Sequence, residues 1–161
     1  MILACQNVSK SFGETQVLKN LNFHIEEKDK LAAPYMAGVC QKRELDVLIL
    51  GMGTGTYATE SKRYFEENNY VDFRGINVTG VEIDEDITRL ASDYFHLSDE
   101  IKVHTYDGRA YLNADKKKYD VIMVDAYQDI TIPFQMSSVE FFTLLEQHLK
   151  PGGVLVVNMN M

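Results

Sequence analysis

The chain has 161 residues, 45% of them apolar and 25% charged, with a net charge of −8. That is enough for one domain with a real core, and the composition is that of a globular protein rather than a disordered one. The acidic balance argues against non-specific nucleic-acid binding, which needs Lys and Arg to replace counterions. No apolar run approaches the roughly 18 residues of a membrane helix, and the N-terminus has no signal-peptide core. Cys5 and Cys40 have no CxxC spacing and read as reduced, small apolar residues of a cytoplasmic protein. His24, His96, His104 and His148 are scattered without ligand spacing, so no metal site is expected.

In chain order, residues 1–30 differ from the rest. "MILACQNVSKSFG" and "TQVLKNLNFHIEEKDK" read as two strands around a turn at Gly13-Glu14. Leu21, Phe23 and Ile25 alternate with polar neighbours, the period-2 pattern of a half-buried strand. "LAAPYMAGVCQKREL" then reads as a linker with a short helix after Pro34. From Asp46 the rhythm is strand, helix, strand, helix. "DVLIL" is a strand buried on both faces, and "TYATESKRYFEENN" a helix ending near Asn68-Asn69.

"INVTGVEID" is the next strand. In "DEDITRLASDYFHL", Ile87, Leu90, Ala91, Tyr94 and Phe95 fall on one helical face behind an acidic first turn. "IKVHTY" is a strand, "GRAYLNA" a helical turn and "YDVIMVDAY" a strand. "SSVEFFTLLEQHLKPGG" carries Ser137 and Glu140 as a capping box and a Pro-Gly-Gly stop, and "VLVVNMNM" is a fifth strand. Alternation of this kind specifies an α/β fold, a mostly parallel sheet with helices on both faces.

Ligands of such sheets bind beyond the carboxyl ends of the strands. Those ends carry Gly51, Gly53 and Gly55; then Glu82 with Asp84; then Asp107-Gly108; then Asp125 and Asp129. A glycine turn opening a helix commonly cradles a phosphate. Here the spacing is GxGxG, Glu82 lies farther on than the roughly 20 residues of the dinucleotide fingerprint, and the acidic rim repels a pyrophosphate. A nucleoside without phosphates fits better, with Glu82 accepting from ribose hydroxyls and Asp107 from an adenine amino group. Each feature also has a purely structural reading: tight turns for the glycines and Asp107-Gly108, helix starts for Asp84 and Glu82, a strand-ending residue for Asp125.

The segments "VLILGMGTGTYA", "GVEIDEDI", "VHTYDGRAYL", "YDVIMVDAYQDITIPFQMSSVEFF" and "LKPGGVLVVN" resemble, in sequence and order, the spermidine synthase family. The resemblance covers about residues 31–161 and implies a Rossmann-like class I methyltransferase fold. It implies aminopropyl transfer from decarboxylated S-adenosylmethionine to an amine such as putrescine. Gly51, Gly53 and Gly55 would then line the thioether and amino-acid-derived part of the donor, Glu82 would hold the ribose and Asp107 and Gly108 the adenine, with Thr54 and Asp84 also among the donor-binding residues. Asp125 would be the acid–base residue, with Tyr127 and Asp129 toward the amine.

Two departures from the family pattern bear on the substrates. Thr54 stands where the family usually has an aspartate, and Asp125-Ala126-Tyr127-Gln128-Asp129 replaces its usual Asp-Ser-Ser-Asp-Pro. The alternatives are a small-molecule methyltransferase using S-adenosylmethionine itself, and a non-catalytic nucleoside-binding domain. The family continues past the fifth strand with a hairpin that this chain lacks, which would expose a sheet edge and favour a homo-oligomer. Residues 1–30 resemble the opening hairpin of ATP-binding cassette ATPases, with Phe12 at the adenine-stacking place, but no GxxxxGK[ST] comes after it. They are expected to be a β-hairpin appendage to a domain at 31–161.

Overall fold

A run such as Val47-Leu48-Ile49-Leu50 has no polar side to turn to water, so it demands cover on both faces of a sheet. In the computed structural model, which describes residues 3–12, 15–25, 44–67, 75–126 and 133–158, that demand is met. The chain divides into two compact units, Met1–Pro34 and Tyr35–Met161. In the first, β1 (Leu3–Phe12) pairs antiparallel with β2 (Thr15–Ile25), with register shifts between Cys5 and Ser11. The expected burial of Leu21, Phe23 and Ile25, the helix after Pro34, and Cys40 lie outside the described residues and side chains.

The second unit runs β3 (Glu44–Leu50), α1 (Thr56–Glu67), β4 (Gly75–Glu82), α2 (Glu85–Asp93) and β5 (Lys102–Thr105). It continues with α3 (Gly108–Ala114), β6 (Tyr119–Val124), a 3-10 turn (Phe134–Met136), α4 (Val139–Gln147) and β7 (Leu149–Val157). Its five strands are all parallel, in the order β5-β4-β3-β6-β7. Alternate residues of β3 serve two cores. Leu45, Val47 and Ile49 pack with Ala58 of α1 and Ala91 of α2, whereas Leu48 and Leu50 pack with Leu112 of α3 and Phe141 and Leu145 of α4. Helices therefore cover both faces, and the strand order reverses between β3 and β6, the place where such sheets hold ligands.

Three local expectations need correction. α2 stops at Asp93, so Tyr94 and Phe95 leave the apolar stripe and stand exposed. His96 then takes a left-handed backbone (φ 52°), and Leu97 returns to the core. The cap of α4 is Ser138, whose Oγ accepts from the Phe141 N–H, while Ser137 Oγ donates to the Phe134 carbonyl. The Pro-Gly-Gly is a bulge inside β7 rather than a stop before it: the register jumps from Tyr119↔Leu149 to Val121↔Val154. A side chain at Gly153 would meet the backbone oxygens of Asp120 and Tyr119 at 3.1 Å, so only glycine fits the bulge.

Candidate functional site at the strand ends

The three glycines after β3 share a left-handed backbone, with φ of 79°, 58° and 78°, but they are bare for different reasons. A Cβ on Gly51 would lie 2.5 Å from the Asp125 carbonyl oxygen, because β3 and β6 run side by side to their last residues. One on Gly55 would meet the Leu97 side chain. One on Gly53 would meet nothing within 4 Å. Of the three, Gly53 presents open backbone, and Gly51 and Gly55 bring protein against protein.

The loop is held from β4. Gly51 N–H and Met52 N–H both donate to the Val81 carbonyl (2.8 and 3.1 Å). Glu82, the last residue of β4, spans the gap above them: its Oε2 accepts from Gly53 N–H at 2.8 Å, and its Oε1 from Ile83 N–H at 2.9 Å and Asp84 N–H at 3.2 Å. A carboxylate held by three backbone donors stays oriented, and lone pairs remain for hydroxyl donors. Thr54 Oγ lies 3.3 Å from Thr56 Oγ.

Asp84 Oδ1 caps α2, accepting from Asp86 N–H (2.8 Å) and Ile87 N–H (3.3 Å). Asp107 lies just after β5 and caps α3, its Oδ1 accepting from Ala110 N–H at 2.7 Å. Gly108 is closely packed: a Cβ there would lie 3.3 Å from Met136 Cε and 3.6 Å from Leu50 Cβ. Ile83 and Tyr106, which flank Glu82 and Asp107, are large apolar side chains left 69% and 56% exposed at the same rim.

Asp125 comes directly after β6, its N–H donating to the Leu50 carbonyl (2.8 Å). Its Oδ1 accepts from Asn158 Nδ2 at 2.8 Å, and Asn158 is the first residue beyond β7. Sequence reasoning passed over Asn158, although the rule that found the others, to inspect the residues just beyond each strand, points to it. Tyr127 and Asp129 lie outside the described residues. Among the described residues no cation pairs with Glu82, Asp84, Asp107 or Asp125, and no group of three or more His, Cys, Asp or Glu is gathered for a metal ion.

A five-stranded parallel sheet of this order, covered by helices on both faces, has counterparts among known proteins. Residues 33–160 match the family described as "Spermine/spermidine synthase domain". The chain belongs to the spermine/spermidine synthase family. It is 60% identical over 131 residues, 81% of its length, to "Probable polyamine aminopropyl transferase" of Bifidobacterium longum. It is 32% identical over 117 residues, 70% of its length, to "Polyamine aminopropyltransferase" of Vibrio vulnificus. The chain spans 27% and 36% of the length of these two relatives.

Among solved structures, spermidine synthase in complex with the transition-state analogue AdoDATO superimposes with a TM-score of 0.55 at 20% identity, covering 81% of this chain and 43% of the other. Human methyltransferase-like protein 13 in complex with SAH gives 0.60 at 24% identity, covering 77% and 62%. Both share the expected class I methyltransferase fold. No helix among the described residues is long and apolar enough to cross a membrane.

Proposed function

We propose that this domain binds decarboxylated S-adenosylmethionine and transfers its aminopropyl group to a polyamine precursor such as putrescine. The observation that carries the reading is Glu82 fixed across the mouth of the glycine loop, one oxygen on Gly53 N–H, with Gly53 the loop glycine that faces open space. In this reading Glu82 takes the ribose hydroxyls and Asp107 and Gly108 the adenine edge. Gly53 and Thr54 lie along the sulfonium arm, and Gly51, Gly55 and the cap Asp84 shape the loop that holds them. Tyr127 and Asp129 serve the amine. A cytoplasmic location and self-association fit the same reading.

The chemistry asks for an acidic rim. The amine nitrogen attacks the methylene carbon next to sulfur, the C–S bond breaks, and sulfur keeps the electron pair as a neutral thioether. The new C–N bond leaves a proton on nitrogen. An amine of pKa near 10 arrives as an ammonium and must give up a proton, at a cost of about 4 kcal/mol at pH 7, for its lone pair to attack. Asp125, oriented by Asn158, accepts that proton, and carboxylates without paired cations attract both the sulfonium and the ammonium. Holding the two reactants in line supplies much of the remaining acceleration.

Thr54 favours a second reading. A neutral hydroxyl near Thr56 offers no anion to a free aminopropyl amine, which suits a carboxylated donor and methyl transfer. Incubation with an amine and each donor in turn separates the two. Methylthioadenosine released from the decarboxylated donor supports aminopropyl transfer; homocysteine-type product from the carboxylated donor alone supports the alternative. Release from neither, with adenosine-type binding retained, would leave a non-catalytic nucleoside-binding domain.

A further inference from the structure

α3 and α4 share one face of the sheet but do not close on each other along their length. A hollow of about 310 Å³ lies between them, lined by Arg109 and Asn113 on one side and Glu140, Thr143 and Gln147 on the other. The pair is tied at its ends. At the far end His148, after α4, sets Nε2 3.1 Å from the Asp115 carbonyl oxygen, after α3. At the near end Arg109, one residue into α3 beyond Gly108, directs one guanidinium nitrogen to the Gln135 carbonyl oxygen at 2.8 Å and to Ser138 Oγ at 3.4 Å.

That near end is the one that matters for the rim. Gln135 belongs to the 3-10 turn, and the next residue, Met136, lies against the bare Cα of Gly108. Phe134 of the same turn is 82% exposed. Ser138, Arg109's weaker contact, is also the cap of α4. One side chain therefore joins the helix start that presents Asp107 and Gly108, the 3-10 turn packed over it, and the start of α4. Both contacts come from one nitrogen, whose two N–H bonds are fixed in the guanidinium plane, whereas an ammonium on a flexible stem holds its acceptors less rigidly.

We propose that Arg109 is a positioning residue for the donor's base: it holds the Phe134–Met136 turn down on the first turn of α3 and so keeps Asp107 and Gly108 in register with the rest of the rim. This rests on the donor-site reading given above. Charge-assisted hydrogen bonds of this kind are worth enough that their loss should weaken nucleoside binding about tenfold.

The test uses the full chain and methylthioadenosine as probe, with affinity by calorimetry and amide exchange of residues 133–138 by mass spectrometry. Arg109→Met should bind the probe about tenfold more weakly, raise the donor KM by a similar factor and leave kcat at saturating donor within about twofold. Exchange in 133–138 should rise in the same variant. Arg109→Lys should recover part of the affinity. Faster exchange with unchanged affinity would reduce Arg109 to a structural tie and overturn the inference while leaving the donor site intact. If the parent chain itself does not bind methylthioadenosine, the donor-site reading falls and this inference falls with it.

Discussion

The two ends of the parallel sheet carry similar residues in opposite states. At the base, in the first residues of the strands, Asp46 and Asp120 meet Lys150 and, from just before β6, Lys117: Lys150 Nζ lies 2.6 Å from Asp46 Oδ2 and 2.8 Å from Asp120 Oδ2, and Lys117 Nζ 2.7 Å from Asp46 Oδ1. Asp120 is fully buried and also accepts from the Asp46 N–H at 2.9 Å. At the rim, the donors that Glu82, Asp84, Asp107 and Asp125 find among the described residues are backbone or amide N–H groups. Buried carboxylates need a cation or they destabilise the fold, whereas partly exposed ones can be held by N–H dipoles and keep their charge for a ligand. The base is neutralised by lysines, and among the described residues no cation neutralises the rim.

The comparison would break first at Asp125. Asp125→Asn keeps the Asn158 contact but removes the proton acceptor proposed above, so turnover should fall at least about 100-fold. Methylthioadenosine affinity should stay within about twofold of the parent. A variant with parental kcat would show that the rim acid takes no proton.

The glycines sharpen the same contrast. Gly51→Ala adds a Cβ at 2.5 Å from the Asp125 oxygen on a left-handed backbone, and should destabilise the fold by about 3 kcal/mol in urea titration. Gly53→Ala meets only the backbone cost of about 1 kcal/mol, yet should lower nucleoside affinity more than Gly51 variants that remain folded. Equal stability losses would mean that the loop's open side is not open.

Local patterns were legible in the sequence, and contacts between distant segments were not. Apolar runs such as Val47–Leu50 and the carboxylates after each strand are local, so the parallel sheet and Glu82, Asp107 and Asp125 could be read directly. Which glycine presents open backbone could not, because Gly51 and Gly55 are bare on account of Asp125 and Leu97, far along the chain. Tyr94 and Phe95 continue the helical period of α2, but the period does not reveal that the chain turns at His96 to send Leu97 inward. The base network joins residues 46, 117, 120 and 150, and no spacing rule links them. Pro151-Gly152-Gly153 reads as a stop, but in β7 it is the bulge just beyond Lys150, and the placement of Nζ against Asp46 and Asp120 is visible only in three dimensions.

At the base, Lys150→Met leaves Asp120 buried with one donor fewer and should lower stability by about 2 kcal/mol. Adding Asp120→Asn should restore part of it, as expected when the loss comes from removing the lysine beside a buried charge rather than from packing. The pH dependence carries the same signature. For Asp46, the cost of burial is outweighed by Lys117 and Lys150, so its carboxyl lies below the ordinary 3.8. For Lys150, desolvation is outweighed by Asp120 and Asp46, and its ammonium lies above 10.5.

A lowered acid contributes stability that is present above 3.8 and lost as pH falls through its folded value. A raised lysine contributes stability that is present below 10.5 and lost as pH climbs through its folded value. Lys150→Met should therefore flatten the alkaline limb and weaken the acid limb of the stability profile. A profile identical to the parent's would contradict the base network.

The smallest effect belongs to Asp84→Ala. Loss of the α2 cap should cost about 1 kcal/mol by thermal unfolding, with nucleoside affinity unchanged, since Asp84 Oδ1 faces its own helix. A large loss of affinity would move Asp84 from support to ligand.

Ligand-dependent thermal stability of the intact chain tests the negative rim most directly, because a molecule bound only by the folded state must raise the unfolding temperature. Methylthioadenosine and decarboxylated S-adenosylmethionine should raise it in the parent and not in Glu82→Gln, while ATP and NAD leave both unmoved. Stabilisation by ATP or NAD with no response to the two sulfur nucleosides would contradict the account.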